Sequence, residues 1–400
     1  MEHHAREIRQ CDDRPSRATR ARSKARNQAR HWRGGLAAVA AVAALVTLAA
    51  VGCASTSSPP GASGGTSPSP GAGGVVSPPA GGGTGGGATG PGGSSLSANQ
   101  RAGIAGGALF GGDVPLVSEQ GQLGRKLAII RVYDHLGEDF MNPQVRRFMS
   151  SGSTLLVSLD TLPGGASYAS IAAGHEDATI SGFLRSVDQA AVQYHLGAIY
   201  ICFEHEADTP PHHTGLGTPA QFVQAWDHIH QLATGAHLDW NQGGRLHWVL
   251  ILTHGTYIAG TAGQYWPGAD EVDIVGVDGY NTADCRAATG GNMVAQGNDV
   301  QTPADLFGAV LGFARTHGDL SVFVAEWASV PYASLAIQPG FIHQMQEYVA
   351  ANHAIAAAMY WNGHGQGNGC DYNLNSRLSS LTALASMGLS AALQGRVPSV

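Results

Sequence analysis

Positive charge is scarce over most of this chain. Charged residues make up only 13% of the 400 residues. Residues 1–35 hold ten of the 22 Lys and Arg side chains and four of the 29 Asp and Glu side chains, which leaves 12 basic and 25 acidic residues for the other 365. A protein that binds nucleic acid needs a basic face to neutralise phosphates. The acidic main body therefore argues against a nucleic-acid partner.

The sequence also lacks the motifs of several cofactor and metal enzymes. No glycine-rich phosphate loop with an acidic ribose partner follows the first apolar run, which disfavours dinucleotide binding. His205, His212 and His213 lie near Glu206, but their spacing is not His-Glu-x-x-His, and a Pro-Pro pair interrupts the segment. Glycine is abundant, at 56 residues, without the Gly-X-Y period of collagen. We expect neither a metal nor a cofactor.

Long hydrophobic runs are limited to Leu36–Val51, which is 16 residues long. This is shorter than the ~20 residues of a typical membrane span and suits the apolar core of a signal peptide. The run leads into Gly52 and Cys53, and the segment resembles a bacterial lipobox, in which the signal is cleaved before a cysteine that becomes lipidated. A plain secretory signal and an uncleaved anchor are the alternatives. Each of the three exports the protein, so we expect an extracellular or cell-surface location with lipidation at Cys53.

Residues 54–98 contain no charged residue and consist almost entirely of Gly, Ser, Pro, Thr and Ala. Such a segment buries too little apolar surface to offset the entropy lost on ordering. We expect a signal segment over 1–53, a disordered linker over 54–98 that acts as a tether, and a folded domain over 99–395.

The folded part alternates short apolar runs with helical patterns. Ile180–Tyr194 and Phe341–Val349 carry apolar residues at helical spacing, and a capping residue precedes proline at Asn142, Thr218 and Thr302. Continuous apolar runs suit parallel strands that are buried on both faces. Eight such units in about 300 residues predict a (β/α)₈ barrel, with a doubly wound open sheet as the alternative. The eight predicted strands are Gly107–Gly111, Leu127–Tyr133, Ser153–Leu159, Gly197–Phe203, Leu246–Leu252, Val272–Val277, Ser321–Ala325 and Ile355–Trp361.

Polar and aromatic side chains follow these strands where each one ends. In a barrel, the carboxyl ends of the strands form the active-site face. Carboxylates, imidazoles, amides and tryptophans at one rim are typical of a sugar-binding cleft. The residues at this rim are Tyr133, Asp134, Asp160, Glu204, His205, Glu206, Asp208, Thr253, His254, Asp278, Tyr280, Asn281, Glu326, Trp327, Trp361 and Asn362.

Two glutamates indicate the chemistry. Glu206 follows the fourth apolar run and Glu326 follows the seventh. A retaining glycosidase uses one carboxylic acid to protonate the leaving oxygen and one carboxylate, ~5–5.5 Å away, to attack the anomeric carbon. Side chains alternate along a strand, so Glu204 should point the same way as Glu206, lie lower in the barrel and pair with Arg131.

Five short motifs resemble glycoside hydrolase family 26. That family's members are mostly endo-β-mannanases, with some β-1,3-1,4-glucanases and xylanases, in a clan of barrels with catalytic glutamates on strands 4 and 7. The resemblance implies that Glu206 is the acid/base and Glu326 the nucleophile. The motifs are Phe203-Glu204-His205-Glu206, Val275–Asn281, Ala325-Glu326-Trp327, Ile171–Asp177 and Tyr265–Gly268.

The same resemblance assigns substrate contacts. His205 is the histidine before the acid/base, Tyr280 should hydrogen-bond the nucleophile, and Trp361 should form the platform under the reactive sugar. Asp160, Asp208 and Trp327 complete the expected substrate-binding set. Ala207 and Asp208 depart from the family's Met-Asn, a change that concerns the sugar contacts more than the reaction.

Cys285 and Cys370 follow the sixth and eighth strands, in loops at the rim. An exported domain lies in an oxidising compartment, so we expect a Cys285–Cys370 disulfide, with two free thiols as the alternative. Cys202 lies within the fourth strand and should be a buried thiol.

The sequence thus predicts a monomeric, retaining endo-β-glycosidase that acts on a β-1,4-linked polysaccharide. β-Mannan is the first candidate, and mixed-linkage β-glucan and xylan are the others. Contact with a membrane would come only through the N-terminal anchor. A non-catalytic glycan-binding protein on the same barrel is the alternative from another class, because fold alone does not determine function.

Overall fold

The computed structural model describes residues 98–161, 165–209, 215–282, 300–363, 370–375 and 377–400. The predicted signal segment, the linker and the lipidation site at Cys53 lie outside these residues. Cys285, His212 and His213 lie outside them as well.

Eight parallel strands form a closed barrel. Each strand pairs with the next one along the chain, and the first strand pairs with both the second and the eighth. All eight strands predicted from the apolar runs are present, and the molecule is a (β/α)₈ TIM barrel. The strands are β1 Ala105–Asp113, β2 Ile129–His135, β3 Thr154–Asp160, β4 Ile199–Phe203, β5 Leu246–Thr253, β6 Ile274–Asn281, β7 Ser321–Ser329 and β8 Ile355–Tyr360.

Helices cover the outside of the barrel. The helices predicted from the periodic segments are present over Asp177–Gln193 and Ile337–Ala351. None of the helices in the described residues is both long and apolar enough to cross a bilayer. The helices are α1 Ala98–Arg101, α2 Gln120–Leu123, α3 Pro143–Ser150, α4 Tyr168–Ala172, α5 Asp177–Gln193, α6 Pro219–Gly235, α7 His254–Ile258, α8 Pro303–Thr316, α9 Ile337–Ala351 and α10 Leu378–Leu389.

The three predicted helix starts carry side-chain caps. Asn142 accepts hydrogen bonds from the backbone N–H groups of the first turn of α3. Thr218 and Thr302 each form a capping box with the third residue of α6 and α8. Each cap satisfies backbone donors that have no partner within the helix. These caps fix where the chain turns from the mouth of the barrel into the outer layer.

Apolar side chains fill the barrel interior up to the level of the site. Ala102 and Ile104 close the amino-terminal end, where the Tyr200 hydroxyl donates to the carbonyl of Ala102 at 2.9 Å. A ninth strand, β9 (Gln394–Arg396), pairs antiparallel with β1 and was not predicted.

Candidate active site

A β-bulge in the middle of β7 directs Glu326 toward the mouth of the barrel. Val324 pairs with Val277 of β6, but the next pair joins Glu326 to Asp278, so Ala325 is the extra residue. Ala325 lies in the interior cluster, and Trp327 lies in the layer between the strands and the helices. Because a bulge breaks the strict alternation of side chains, both Ala325 and Glu326 face inward.

The chain after β4 turns sharply and holds its backbone in an unusual conformation. The strand ends at Phe203, and Glu204 and Glu206 have φ angles of 50° and 53°. Their N–H groups donate to Leu159 of β3 at 2.9 Å and to Ile251 of β5 at 3.1 Å. A left-handed backbone at a residue other than glycine costs roughly 1–3 kcal/mol, and such residues cluster at functional sites. The neighbouring strands thus stabilise a strained turn that carries Glu206.

Glu326 is held by three side chains. The Tyr280 hydroxyl donates to its Oε2 and the Tyr133 hydroxyl donates to its Oε1. An Arg131 Nη1 lies 3.4 Å from Oε1. Burial alone would raise the pKa of Glu326, but the positive charges of Arg131 and His205 and the two phenol hydrogen bonds outweigh it, and the pKa is lowered. These partners therefore favour the carboxylate form of Glu326.

Arg131 also spans the interior to a second carboxylate. Its Nη1 lies 3.0 Å from Asp278 Oδ1, and its Nη2 donates to Ser158 at 3.2 Å. The side chains of Arg131 and Asp278 are only 1% and 0% exposed. A buried charge needs a partner of opposite sign. Arg131 has two such partners, because it pairs with Asp278 below the site and with Glu326 in it.

Glu206 has the opposite protonation behaviour. Burial, followed by the negative charge of Glu326, raises the pKa of Glu206 to about 7. Two carboxyl groups close to each other cannot both ionise easily, because the second charge is repelled by the first. Glu206 therefore retains a proton over much of the acidic range in which Glu326 is charged.

His205 forms an ion pair beside the two glutamates. Its Nδ1 lies 3.1 Å from the Asp160 carboxylate, and its ring packs edge-on against Tyr133 at 5.2 Å. Burial opposes the charged imidazole, but the Asp160 charge and hydrogen bond outweigh it and raise the pKa of His205 to about 9. The site thus contains a second cation near its carboxyl pair.

The arrangement supplies an acid and a carboxylate at one mouth. In many active sites, two titratable groups lie in surroundings that push their pKa values apart. One of them then acts as the acid and the other as the base or nucleophile. A bond placed between the two groups can be protonated by Glu206. The carboxylate of Glu326 can stabilise a positive charge on the other side of that bond or attack it as a nucleophile. Their separation of ~5–5.5 Å stays a prediction.

Comparison with known proteins identifies the architecture. No family model matches the sequence, and no curated protein matches it. A β-mannanase of glycoside hydrolase family 26 from Bacteroides ovatus is similar in structure, with a TM-score of 0.50 and 13% identity over 74% of this chain and 92% of that one. A family 39 enzyme from Xanthomonas axonopodis pv. citri has a TM-score of 0.51 and 12% identity over 71% and 67% of the two chains. A broad-specificity endoglucanase, GH5-4, from Clostridium longisporum has a TM-score of 0.50 and 12% identity over 74% and 99%.

At this level of identity the likeness shows the barrel fold. The similar structures are glycoside hydrolases of families 26, 39 and 5, so they do not single out family 26.

The structure places most of the predicted site residues at the mouth of the barrel. Glu206, Glu326 and Tyr280 come together, and the expected contact between Tyr280 and Glu326 is present. Asp160 contacts His205. Their assigned roles in binding and catalysis stay predictions.

Trp361 lies at the mouth, directly after β8. Its ring centroid is 6.4 Å from that of Tyr280, and its N–H donates to the carbonyl of Trp327 at 3.0 Å. Asn362, which follows Trp361, donates its backbone N–H to the side chain of Asp113 at the end of β1, at 3.0 Å. The chain on both sides of the ring is therefore held, as a stacking platform requires.

The predicted substrate contact of Trp327 is wrong, and that of Asp208 stays a prediction. Trp327 is fully buried, where it packs against Phe341 and Tyr360, because the bulge turns it away from the mouth. Asp208 accepts hydrogen bonds from the N–H and hydroxyl of Thr253 and from the hydroxyl of Thr256. It links the loop after β4 to the start of α7.

The expected pair between Glu204 and Arg131 is also wrong. Glu204 is buried and accepts the backbone N–H of Thr161, whereas Arg131 pairs with Asp278 and Glu326. The alternation used to place Glu204 does not hold, because the strand ends one residue earlier. His205, which alternation would direct away from the cleft, contacts Asp160 at the mouth.

The cysteine predictions have different outcomes. Cys202 is fully buried inside the barrel as a free thiol, as predicted. Cys370 is also fully buried, but Cys285 lies outside the described residues, so their disulfide stays a prediction. Among the residues that the structure describes, no group of three or more His, Cys, Asp or Glu side chains is arranged to hold a metal ion.

Sequence reasoning missed the roles of Arg131 and Tyr133. An arginine inside an otherwise apolar strand is a signal, because a buried guanidinium requires a carboxylate partner. The partner, Asp278, lies in β6 directly after the apolar run Val272–Val277. Tyr133 stands two residues after Arg131, so alternation places both on the same side of β2.

Proposed function

We propose that this protein is a retaining β-glycosidase with Glu206 as acid/base and Glu326 as nucleophile. The observation that carries the proposal is the opposed protonation of the two carboxyl groups, with the pKa of Glu206 raised to about 7 and that of Glu326 lowered. A double displacement at neutral to acidic pH needs this division.

In the first step an oxygen of Glu326 attacks the anomeric carbon of the sugar in the reactive subsite. The bond from that carbon to the glycosidic oxygen breaks, and Glu206 gives its proton to the leaving oxygen. The product is a glycosyl ester on Glu326 together with a released sugar hydroxyl. Arg131 and Tyr280 support the carboxylate before it reacts.

In the second step Glu206, now a carboxylate, removes a proton from water. The resulting oxygen attacks the anomeric carbon from the face that the leaving group vacated, and the ester bond to Glu326 breaks. Two inversions give net retention and restore both carboxyl groups to their starting forms.

We infer that the substrate is a β-1,4-linked polysaccharide, cut internally, with β-mannan first and mixed-linkage β-glucan or xylan next. The motifs around Glu206, Tyr280 and Glu326 support this order. The aromatic side chain of Trp361 offers a face on which a sugar ring can stack. The apolar run before Cys53 supports export, and we propose a monomer tethered at the cell surface.

The test is the release of reducing ends from mannan, lichenan and xylan by the wild type and by the Glu206→Gln and Glu326→Gln variants. Glu347→Gln is the matched control, because Glu347 is exposed on α9. We expect the Glu206→Gln variant to lose about 10²–10⁴-fold in rate on natural substrate. We expect Glu326→Gln to be inactive and Glu347→Gln to match wild type.

Two results would count against the proposal. Binding of these polysaccharides without turnover by the wild type would favour a glycan-binding protein. Full activity in Glu326→Gln would remove Glu326 from the reaction.

A further inference from the structure

Both oxygens of the Glu326 carboxylate carry a phenol hydrogen bond. Tyr280 donates to Oε2 and Tyr133 donates to Oε1. Attack on a sugar requires one of these oxygens to come within ~3–3.5 Å of the anomeric carbon along a clear path. A phenol on the attacking oxygen occupies one of its two lone pairs and makes it less nucleophilic, so attack is favoured when one of the two phenols leaves its place as the substrate enters.

The two tyrosines differ in exposure and in the groups that surround their rings. Tyr280 packs against Tyr372, at 4.9 Å between ring centroids, and against Trp361 at 6.4 Å. Tyr133 is 41% exposed. Its ring lies over the Arg131 guanidinium at 5.1 Å and meets the edge of His205 at 5.2 Å. Tyr133 is thus the phenol that can move at the smaller cost in packing.

We propose that Tyr133 caps Oε1 of Glu326 in the free protein and that a sugar entering the reactive subsite displaces it, which exposes the attacking oxygen. The inference rests on the proposed function, since it gives Glu326 the role of nucleophile. Tyr280 stays in place and orients the carboxylate through Oε2. Tyr133 then acts on the reaction through Glu326 and is a specificity-determining group, because only a ring that fits its position exposes the nucleophile.

The charges around Glu326 determine how far the Tyr133 hydrogen bond shifts the pKa of Glu326. A phenol donor stabilises the carboxylate form, so removing the Tyr133 hydroxyl must raise the pKa of Glu326. Arg131 and His205 remain as cations, and they limit the rise. The titratable and charged groups that face Glu326 are Asp113, Arg131, Tyr133, His205, Glu206, Asp278 and Tyr280.

The first experiment measures the effect of the Tyr133 hydroxyl on the pKa of Glu326 in the absence of substrate. The protein is labelled with ¹³C at the glutamate carboxyl carbons, and the Glu326 resonance is assigned by its loss in Glu326→Gln. We expect Tyr133→Phe to raise the measured pKa of Glu326 by about one pH unit or more. Tyr348→Phe removes a half-buried phenol on α9 and should leave the pKa unchanged. An unchanged pKa in a folded Tyr133→Phe variant would overturn the proposal.

The second experiment separates displacement from simple support. On the polysaccharide that the panel identifies, Tyr133→Phe should lower KM about five- to tenfold, because the sugar no longer has to break a hydrogen bond to an ionised group. Tyr280→Phe should instead lower kcat. A rise in KM for Tyr133→Phe would show that the Tyr133 hydroxyl binds the sugar, and would contradict the cap.

The two experiments fail separately. If no polysaccharide is cleaved by the wild type, the proposed function fails, while the ¹³C titration still shows whether Tyr133 caps Glu326. If activity is found and the titration shows no change, the cap fails and the glycosidase remains.

Discussion

Replacing Arg131 by methionine should destabilise the protein more than any other single charge removal at the site. The guanidinium lies 3.0 Å from Asp278 and 3.4 Å from Glu326, and the side chains of Arg131 and Asp278 are 1% and 0% exposed. Removing one partner of a buried ion pair leaves an uncompensated charge and costs ~3–5 kcal/mol. Because two carboxylates share this one guanidinium, we expect the upper part of that range.

The measurement is denaturant unfolding at neutral pH, followed by circular dichroism and tryptophan fluorescence. In thermal unfolding the same loss corresponds to a fall in Tm of roughly 6–20 °C. Arg185→Met is the matched control: Arg185 is exposed on α5, so its loss should change stability by no more than ~0.5 kcal/mol. The double variant Arg131→Met/Asp278→Asn should recover part of the loss, since it removes one of the stranded charges.

Two outcomes would refute this reasoning. A cost below ~1 kcal/mol for Arg131→Met would mean that the pair does not stabilise the site. A double variant no more stable than Arg131→Met alone would mean that Asp278 stabilises the barrel without Arg131.

Three further predictions concern protonation, helix capping and the rim. Activity should fall as pH rises through about 7, because Glu206 must keep its proton, and a pH profile of kcat/KM for Glu206→Gln on an activated aryl glycoside should lack this alkaline limb. Thr302→Ala removes the capping box of α8 and should cost about 1 kcal/mol in denaturant unfolding, and an unchanged midpoint would contradict it. Alkylation of the denatured protein should modify Cys285 and Cys370 only after reduction, and modification before reduction would exclude the disulfide.

Most of the fold could be predicted because its signals are local. Each barrel strand is buried on both faces and reads as a continuous apolar run, and each capped helix start carries its own side-chain acceptor. Strand β9 was missed because three residues, Gln394–Arg396, carry no apolar pattern.

The site could be predicted only as far as strand ends reveal it. The positions of Glu206 and Glu326 at the mouth could be predicted because each glutamate comes shortly after an apolar run in the sequence. The orientation of Trp327 does not, because one extra residue in β7 reverses which side chains face inward. The partner of Arg131 also depends on which strands oppose each other across the barrel, which no local pattern encodes.

The most direct test of the central claim is the stereochemistry of the first product. On the polysaccharide that the panel identifies, ¹H NMR should be recorded within the first minutes of hydrolysis, before the anomers interconvert. We expect the β-anomer to form first, through a glycosyl ester on Glu326. Initial formation of the α-anomer would show an inverting enzyme with water between the two glutamates, and would contradict the role of Glu326 as nucleophile.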